Sequence, residues 1–380
     1  MTGPGAPRTA GGAEVPLFAT RPALEPLLER VAERQREVLV GGRYVLGPEV
    51  ESFEREFAAY LGARHCVGVA NGTEALTIAL RAIGVGAGDE VVVPALTFYA
   101  TAEAVVNAGA RPVFCDVDPR TFDMTAATAE PAIGERAAAL LPVHLFGNPA
   151  PMGELRELAA ARGLRLLEDA AQAAGARLDG KPAGALGDAA AFSFFPSKNL
   201  GGFGDGGAVV TDDEEVADAA RRLRAHGSED RETHTEVGYN SRLDELQAAG
   251  LRVLLPHLDE WTRGRRRVAA VYAQGGLGDA VRLPVETEGG ESCFHLYVVR
   301  SAERDRLAAA LAEAGIGARA YYTTPLHRQP AMRPYAPPGP LPGVERAAAE
   351  SLALPMGPSL REEQALAVVD AVAGATASAR

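Results

Sequence analysis

Short apolar runs alternate with helically spaced apolar residues between residues 66 and 211. The runs are four to seven residues long and nearly continuous, as expected of strands buried on both faces of a parallel sheet. Strands that alternate with helices predict an α/β fold with a mostly parallel sheet covered by helices on both faces. The predicted strands are 66–70, 90–93, 112–117, 138–143, 164–167, 189–195 and 208–211, and the predicted helices are 72–83, 99–108 and 152–162.

Further elements are predicted on both sides of this region. Helical spacing occurs at 23–39, at 49–60 and at 242–273, where it is interrupted near Pro256. The C-terminal third mixes short strands with helices, which is typical of a smaller α+β domain. Its predicted elements are a strand at 294–300, a helix at 302–314, a strand at 319–322, a proline-rich loop at 330–342 and a helix at 361–372.

The expected division of the chain has three parts. Residues 1–16 are rich in Gly, Ala and Pro and lack the apolar segment of a signal peptide, so they predict a disordered tail. Residues 17–255 are expected to form the large domain and residues 256–380 the small C-terminal domain. A chain of 380 residues is long enough for two cores.

Composition narrows the class of function. The chain has 38 basic and 50 acidic residues, a net charge of −12, which argues against a nucleic-acid or anionic-membrane partner. No apolar stretch approaches the roughly 20 residues that span a bilayer. The three cysteines form no CxxC pair and the seven histidines no HExxH pair, so no metal site and no disulfide framework is predicted. We therefore expect an intracellular, cytoplasmic protein.

The most informative residue is Lys198, which follows the apolar run 189–195 and enters a segment rich in glycine and aspartate. A lysine at the end of a core strand loses hydration, which lowers its pKa and frees the neutral amine that Schiff-base chemistry requires. A lysine that extends from a strand end into solvent is the alternative interpretation. Partners elsewhere in the chain decide between the two.

Two other predicted strands end in polar residues at the same edge of the sheet, where ligands bind in open α/β folds. Gly72 and Thr73 open a helix, so their N–H groups and the Thr73 hydroxyl suit a phosphate, as does the Ser193 hydroxyl. Asp169 ends a strand and could hold a protonated pyridine nitrogen. Simple helix capping would also explain Thr73 and Asp169. Phosphate site, carboxylate and lysine together are what a pyridoxal phosphate enzyme needs.

From about residue 18 to residue 369 the chain resembles the DegT/DnrJ/EryC1/StrS group, pyridoxal phosphate-dependent aminotransferases of the aspartate aminotransferase fold (fold type I) that act on nucleotide-linked keto-sugars. The motifs that carry the resemblance occur in the order in which the family has them. They are NGTEAL at 71–76, PALTFYAT at 94–101, PVHLFG at 142–147, EDAAQ at 168–172, the segment 192–207, GYNSRLDELQA at 238–248, YYTTPLHRQP at 321–330 and LPM at 354–356.

The resemblance implies a role for each matching position. Lys198 resembles the lysine that forms the Schiff base with pyridoxal 5'-phosphate, and Asp169 the partner of the pyridine nitrogen. Gln172 resembles the residue near the phenolic oxygen of the cofactor, and Phe98 the aromatic residue that stacks on its ring. The positions that match phosphate-binding residues are Gly72, Thr73 and Ser193.

Other matching positions imply partners and a substrate. Asn240 matches an asparagine that reaches the phosphate from the neighbouring subunit, which implies a homodimer with shared active sites. Tyr322 and His327 match a loop near the sugar, whereas Tyr321 stands where many members have histidine. The implied reaction moves an amino group from L-glutamate or glutamine to a keto-sugar nucleotide, at C3 of a dTDP-linked 3-keto-6-deoxyhexose, in amino-sugar biosynthesis.

Four other functions are alternatives to this one. Amination at C4 of the sugar differs only in the substrate. Sugar dehydratases of the same family carry histidine at the position of Lys198, so the lysine favours transamination. A non-catalytic pyridoxal phosphate-binding regulator would need a further partner-binding domain. A nicotinamide-dependent dehydrogenase is disfavoured because no GxGxxG motif opens a helix after an early strand.

Overall fold

The computed structural model of the protein describes residues 14–18, 20–230 and 232–377. It confirms the α/β fold with a mostly parallel sheet flanked by helices. The strands are β1 (His65–Val69), β2 (Glu90–Pro94), β3 (Arg111–Cys115), β4 (Ala137–Leu140), β5 (Arg165–Asp169), β6 (Arg177–Leu178), β7 (Lys181–Pro182), β8 (Ala189–Ser193), β9 (Gly207–Thr211), β10 (Gly290–Glu291), β11 (Tyr297–Arg300) and β12 (Ser351–Leu354).

Helices cover the sheet and form the remainder of the chain. They are α1 (Arg21–Leu24), α2 (Leu28–Gly41), α3 (Pro48–Leu61), α4 (Gly72–Ala82), α5 (Ala100–Asn107), α6 (Ala126–Ala129), α7 (Met152–Arg162), α8 (Glu214–Leu223), α9 (Glu245–Leu254), α10 (Leu258–Gln274), α11 (Arg304–Glu313), α12 (Pro342–Glu350) and α13 (Glu362–Ala377). Two of the long predicted helices are divided by short 3-10 turns at proline, at Glu25–Leu27 and at Leu255–His257.

The central sheet has seven strands in the order β1-β9-β8-β5-β4-β2-β3. Strands β8, β5, β4, β2 and β3 are parallel, whereas β9 is antiparallel to both of its neighbours. Because two antiparallel steps restore the direction, β1 runs parallel to β8. The carboxyl ends of β1, β5 and β8 therefore meet at one edge, and the register places Ser193 opposite Gly207 and Gly207 opposite Val69. This edge carries the candidate site.

A second unit is built on the antiparallel pair β11 and β12, which α10, α11 and α13 cover. The predicted strand at 319–322 is wrong: only Arg319 forms an isolated bridge, to Ala353. The predicted loop at 330–342 contains a 3-10 helix, Pro330–Tyr335. The sequence pattern missed α8, α12, β12 and the small sheet of β6, β7 and β10.

The division at residue 255 stays a prediction. It falls in the 3-10 turn before α10, and α10 itself contributes to two cores: Trp261 packs with the large-domain residues and Tyr272 with the second unit. Residues 1–13 of the predicted tail lie outside the described residues. Its residue Val15 is buried and bridges Ile316, unlike the disordered residue expected there.

The described residues contain neither a membrane-spanning helix nor a cluster of metal-binding side chains. None of the helices in the described part of the chain has the length and apolarity needed to cross a membrane. Within the same residues, His, Cys, Asp and Glu side chains form no group of three or more that could hold a metal ion.

Candidate active site

Lys198 lies in the turn that follows β8, where its backbone N–H donates to the Phe195 carbonyl at 2.8 Å. Loss of hydration lowers the pKa of its amine, and the negative charge of Asp169 raises it. The first effect is larger, so the pKa is about 8. The fold therefore supplies a lysine whose neutral form is accessible near physiological pH, with a carboxylate close enough to interact with it.

Asp169 ends β5 and is buried, with only 4% of its surface exposed. Its Oδ2 accepts a hydrogen bond from the Thr101 hydroxyl at 2.8 Å, and its Oδ1 accepts one from the Ala171 N–H at 3.1 Å. Burial raises the pKa of the carboxyl group, while the Thr101 hydrogen bond, the Ala171 N–H and the charge of Lys198 lower it. These contacts fix the orientation of the carboxylate at the sheet edge.

Gln172 and Tyr322 form the next layer of the site. The Gln172 Oε1 accepts from the Phe146 N–H at 2.7 Å, and its amide nitrogen donates to the Tyr322 hydroxyl at 3.2 Å, so the amide is held in one orientation. The Tyr322 ring lies 6.4 Å from Phe146 and 6.2 Å from Phe98. Burial raises the pKa of Tyr322 far above its usual value, so its hydroxyl stays protonated. Phe98 is 57% exposed beside it, a large apolar ring with a free face.

The start of α4 forms a narrow cradle beside Ser193. Asn71 caps the helix by accepting the Glu74 N–H at 2.9 Å, while the N–H groups of Gly72 and Thr73 donate to no residue in the described part of the chain. A Cβ atom on Gly72 would lie 2.7 Å from the Ser193 Cβ, so only glycine permits this approach. Free N–H groups at a helix N-terminus beside a hydroxyl fit a phosphate.

The residues present fit pyridoxal phosphate. The cradle suits the phosphate, the exposed ring of Phe98 suits an aromatic face, and the buried Asp169 carboxylate suits a cationic ring nitrogen. Lys198 supplies the amine that the aldehyde requires.

Within the described residues, His327 and Asn240 make no hydrogen bond to Asp169, Gln172 or Tyr322. His327 lies in the 3-10 turn Leu326–Arg328, which is tied to the end of β2 by a hydrogen bond from the Leu326 N–H to the Ala95 carbonyl at 2.9 Å. Its Nδ1 is buried and has no partner among the described residues, and burial lowers its pKa. Asn240 is exposed and bridges Ala225. The roles of all these site residues stay predictions.

Comparison with known proteins gives the family. The model of the DegT/DnrJ/EryC1/StrS aminotransferase family matches residues 27–373. The chain belongs to this family. It is a pyridoxal phosphate-dependent aminotransferase, and the family and cofactor expected from its motifs are confirmed.

Among its relatives is the dTDP-3-amino-3,4,6-trideoxy-alpha-D-glucose transaminase of Streptomyces venezuelae, 48% identical over 94% of this chain and 95% of the relative. The pleiotropic regulatory protein of Geobacillus stearothermophilus is also 48% identical, over 92% of this chain and 94% of the relative. The crystal structure of S. venezuelae DesV in complex with a ketimine intermediate has a TM-score of 0.92 and 48% identity, and the match covers 94% of this chain and 97% of DesV. The enzyme fold is therefore shared over almost the whole length.

Several buried polar residues of the aminotransferase site escaped the sequence analysis. His144 accepts the Ala150 N–H on Nδ1 at 3.0 Å, so its Nε2 carries the proton that it shares with Glu168 at 2.8 Å. Glu168 also accepts three backbone N–H groups, of Gly184, Leu186 and Gly187. This carboxylate fixes the loop after β7, and its position inside the EDAAQ motif is the signal that could have identified it.

A second missed group holds the lysine turn from the opposite side. The Asn199 amide nitrogen donates to the Cys293 carbonyl at 3.0 Å, and the Asn199 Oδ1 lies 3.3 Å from the His295 Nδ1. Because the Asn199 oxygen can only accept, His295 donates from Nδ1. Burial, with the charge of Lys198 as a further cause, lowers the pKa of His295 well below its usual value, so the ring stays neutral. The lysine turn is thereby tied to the segment before β11.

Proposed function

We propose that this aminotransferase transfers an amino group from L-glutamate or L-glutamine to a keto-sugar nucleotide, at C3 of a dTDP-linked 3-keto-6-deoxyhexose. The observation that carries the proposal is the placement of a desolvated lysine amine and a buried, hydrogen-bonded carboxylate at one sheet edge. The choice of sugar and nucleotide is supported by the S. venezuelae relative, whose name specifies a 3-amino sugar carried on dTDP.

The cofactor is assigned to the residues whose chemistry matches each of its parts. The N–H groups of Gly72 and Thr73 and the Ser193 hydroxyl hold the phosphate, and Phe98 covers the ring. Asp169 holds the ring nitrogen by an ion pair. Bound pyridoxal phosphate supplies an electron sink for the charge that remains when a proton leaves the carbon bearing the amino group.

Lys198 both tethers the cofactor and moves the proton. A pKa of about 8 lets its amine accept and return a proton near neutral pH, which is the requirement for general acid–base catalysis. Gln172, oriented by Phe146 and Tyr322, presents its amide beside the same edge. Tyr322 and His327 are assigned to the sugar side of the site.

The proposal includes a homodimer in which each active site is shared by the two subunits. It also places the enzyme in the cytoplasm. Asn240 is exposed and, in the described part of the chain, makes no hydrogen bond to the other site residues, as expected of a residue that acts in a partner's site. Next to it in the fold is a cavity of about 360 Å³, and Val237 nearby in sequence is 83% exposed. The cavity is lined by Val45, Leu46, Ala225, His226, His234 and Arg242.

The test follows the amino group from donor to sugar. Purified protein loaded with pyridoxal phosphate is expected to show a visible absorption band that fades when L-glutamate is added. A dTDP-3-keto-6-deoxyhexose added next should restore the band and leave as a 3-amino sugar, whose position of amination is read by NMR. The control is Lys198→Ala, which should bind cofactor without the donor-dependent change.

Each other outcome selects another function. An amine at C4 would move the substrate to the C4 keto-sugars, and a dehydrated sugar without amine would indicate a dehydratase. A band indifferent to donor and to Lys198→Ala would leave a regulator, which is the function named for the G. stearothermophilus relative.

A further inference from the structure

Two threonine hydroxyls form a hydrogen-bonded chain that ends at the Asp169 carboxylate. Thr101 is in the first turn of α5 and Thr97 is in the segment that joins β2 to α5, and they are 1% and 3% exposed. The Thr97 and Thr101 hydroxyl oxygens are 3.0 Å apart, and the Thr101 oxygen is 2.8 Å from the Asp169 Oδ2. The line connects α5 to the end of β5 across 68 residues of sequence.

The direction of these hydrogen bonds follows from donor counting. An ionised carboxylate can only accept hydrogen bonds, so the single hydroxyl proton of Thr101 is donated to Asp169. The Thr101 oxygen must then accept the proton of Thr97. Each bond polarises the next, which strengthens the chain towards the charged end. If Asp169 were protonated, the same two hydroxyls could reverse, so the direction of the chain depends on the charge of Asp169.

Ordinary helix structure does not require this contact. A buried threonine in a helix commonly bonds the carbonyl four residues earlier, as Thr77 of α4 does with the Thr73 carbonyl at 3.0 Å. Thr101 instead directs its hydroxyl at a carboxylate of another element. Thr77 is likewise buried, at 2% exposure, and therefore offers a matched comparison within the same chain.

We propose that Thr97 and Thr101 are positioning residues that hold Asp169 as an oriented, ionised carboxylate, with Thr101 in direct contact and Thr97 acting through it. The proposal deepens the proposed function and rests on it, since it concerns the carboxylate assigned to the ring nitrogen. Neither threonine is a catalytic residue, because neither is assigned a contact with the cofactor or the substrate.

The groups that face Asp169 from the surrounding elements are few. The positive charge of Lys198, after β8, lowers the pKa of Asp169, and the His144 ring, after β4, and the protonated Tyr322 lie within electrostatic range. None of the three donates a hydrogen bond to the Asp169 carboxylate oxygens in the described structure. Burial raises the pKa of Asp169, and the Thr101 hydrogen bond is the largest effect that opposes this rise.

The raised pKa of Asp169 sets the sign of the pH effect. Since the pKa of Asp169 is raised on folding, the folded protein binds the proton more tightly, and stability falls as the pH rises through the folded pKa. Thr101→Val removes the hydroxyl at nearly constant shape and raises that pKa further. The loss of stability caused by Thr101→Val should therefore be larger at pH 8 than at pH 5.

The first experiment uses the full-length chain freed of cofactor, so that no ring nitrogen masks the titration. Thermal unfolding midpoints are compared between pH 5 and pH 8 for wild type, Thr101→Val, Thr101→Ser and Thr77→Val. We expect the difference in unfolding midpoint between wild type and variant to increase with pH for Thr101→Val alone. If the midpoint of Thr101→Val differs from that of wild type by the same amount at every pH, as expected for Thr77→Val, the proposal is overturned.

A second measurement reads Asp169 directly and does not require reversible unfolding. The infrared band of its protonated carboxyl group, identified by its absence in Asp169→Asn, should persist to higher pH in Thr101→Val than in wild type. Thr101→Ser should restore the wild-type value, and Thr97→Val should give a smaller shift of the same sign. An unmoved band in Thr101→Val would show that the hydroxyl does not control the charge.

The loaded enzyme gives a third readout. Thr101→Val should lower kcat by about ten- to hundredfold, the usual effect of removing a hydrogen bond to a charged group, with little change in KM for the donor. Activity that survives Lys198→Ala would defeat the proposed function. It would leave the infrared and unfolding tests of Thr101 intact, so the two failures can be told apart.

Discussion

Lys198 and Asp169 each change the titration of the other, because they carry opposite charges in a site with little water. Burial lowers the pKa of the lysine and raises that of the aspartate, and the attraction between them opposes both shifts. The lysine is shifted to about 8. Burial therefore outweighs the ion pair, and the site keeps an accessible neutral amine instead of a permanent salt bridge.

This balance predicts how Lys198 reacts with an amine-directed acylating reagent. The chain contains only two lysines, Lys198 and the exposed Lys181, so Lys181 is an internal reference. In cofactor-free protein the rate of acylation at Lys198, followed by peptide mass spectrometry, should rise with an apparent pKa of about 8. Asp169→Asn should move the rise to lower pH, since Asp169 raises the pKa of the lysine. A rise at the ordinary lysine value, about 10.4, would contradict the desolvated amine.

Gly72 gives a second prediction at the scale of one residue. In Gly72→Ala the new methyl group would lie 2.7 Å from the Ser193 Cβ, so one of the two segments assigned to the phosphate must shift. Overpacking of this kind costs about 1–3 kcal/mol, so pyridoxal phosphate should bind about five- to 150-fold more weakly in an absorbance titration. The control is Gly153→Ala in α7, where a Cβ meets no atom within 4 Å. Equal affinity in wild type and Gly72→Ala would remove Gly72 from the phosphate site.

At the scale of elements, the sequence predicted what burial dictates. The strands before the site residues were found because they are apolar on both faces, and α4 and α7 because their apolar residues recur at helical spacing. The antiparallel direction of β9 was not predictable, since an apolar run such as Gly207–Thr211 reads the same in either direction. The region 319–322 contains two aromatic residues, which favour strand, but it lines the site as irregular chain.

The same reasoning explains which site residues were missed. Lys198 and Asp169 stand out because a charged residue directly after an apolar strand is unusual. Thr101 does not stand out, because a threonine among the alanines of α5 is consistent with a buried helix face. Its role depends on the hydrogen bond that joins α5 to the end of β5, a contact between distant parts of the chain that spacing along the sequence does not encode. Asn199 and His295 were missed for the same reason.

Glu245, at the start of α9, provides a prediction about how helices are held. It is 1% exposed, and its carboxylate accepts the backbone N–H groups of Gly47, Glu49 and Val50 at 2.7, 2.9 and 3.0 Å, which joins α9 to the start of α3. Glu245→Gln keeps the size of the side chain but removes its charge. It also places an NH₂ group, which is a hydrogen-bond donor, against backbone N–H groups that are donors themselves. We expect a loss of about 1–3 kcal/mol in stability, measured by thermal unfolding.

The matched control for this prediction is Glu51→Gln, in the first turn of the same helix α3. The Glu51 side chain is exposed and its only ion pair is with Arg43, at 3.6 Å, within the described chain. Its loss should change stability by no more than about 0.5 kcal/mol. If the two variants lose equal stability, the carboxylate of Glu245 does not hold α3 and α9 together.

At the scale of the whole molecule, the open question is which groups one chain contributes to its own site. Within one chain the charges of Lys198 and Asp169 interact, and Gln172 donates a hydrogen bond to Tyr322. Asn240 is exposed and outside this network. The exposed apolar residues nearby in sequence or lining the cavity, Val237 and Val45, suit burial against a second copy of the chain. A shared site makes activity a property of the pair.

Subunit mixing tests this directly. Lys198→Ala lacks the amine, and Asn240→Asp places a negative charge where the phosphate of the neighbouring site is expected, so each homodimer should be nearly inactive. After mixing and exchange, half of the dimers are hybrids in which one site has both Lys198 and Asn240 intact and the other has neither. Activity should then recover to about a quarter of the wild-type value, as C2 pairing at random requires. The control is a mixture of Lys198→Ala with Asp169→Asn, whose hybrids contain no intact site if both residues act within their own chain. No recovery in the first mixture would mean that Asn240 acts on its own chain, and recovery in the control would mean that Lys198 and Asp169 of one site come from different chains.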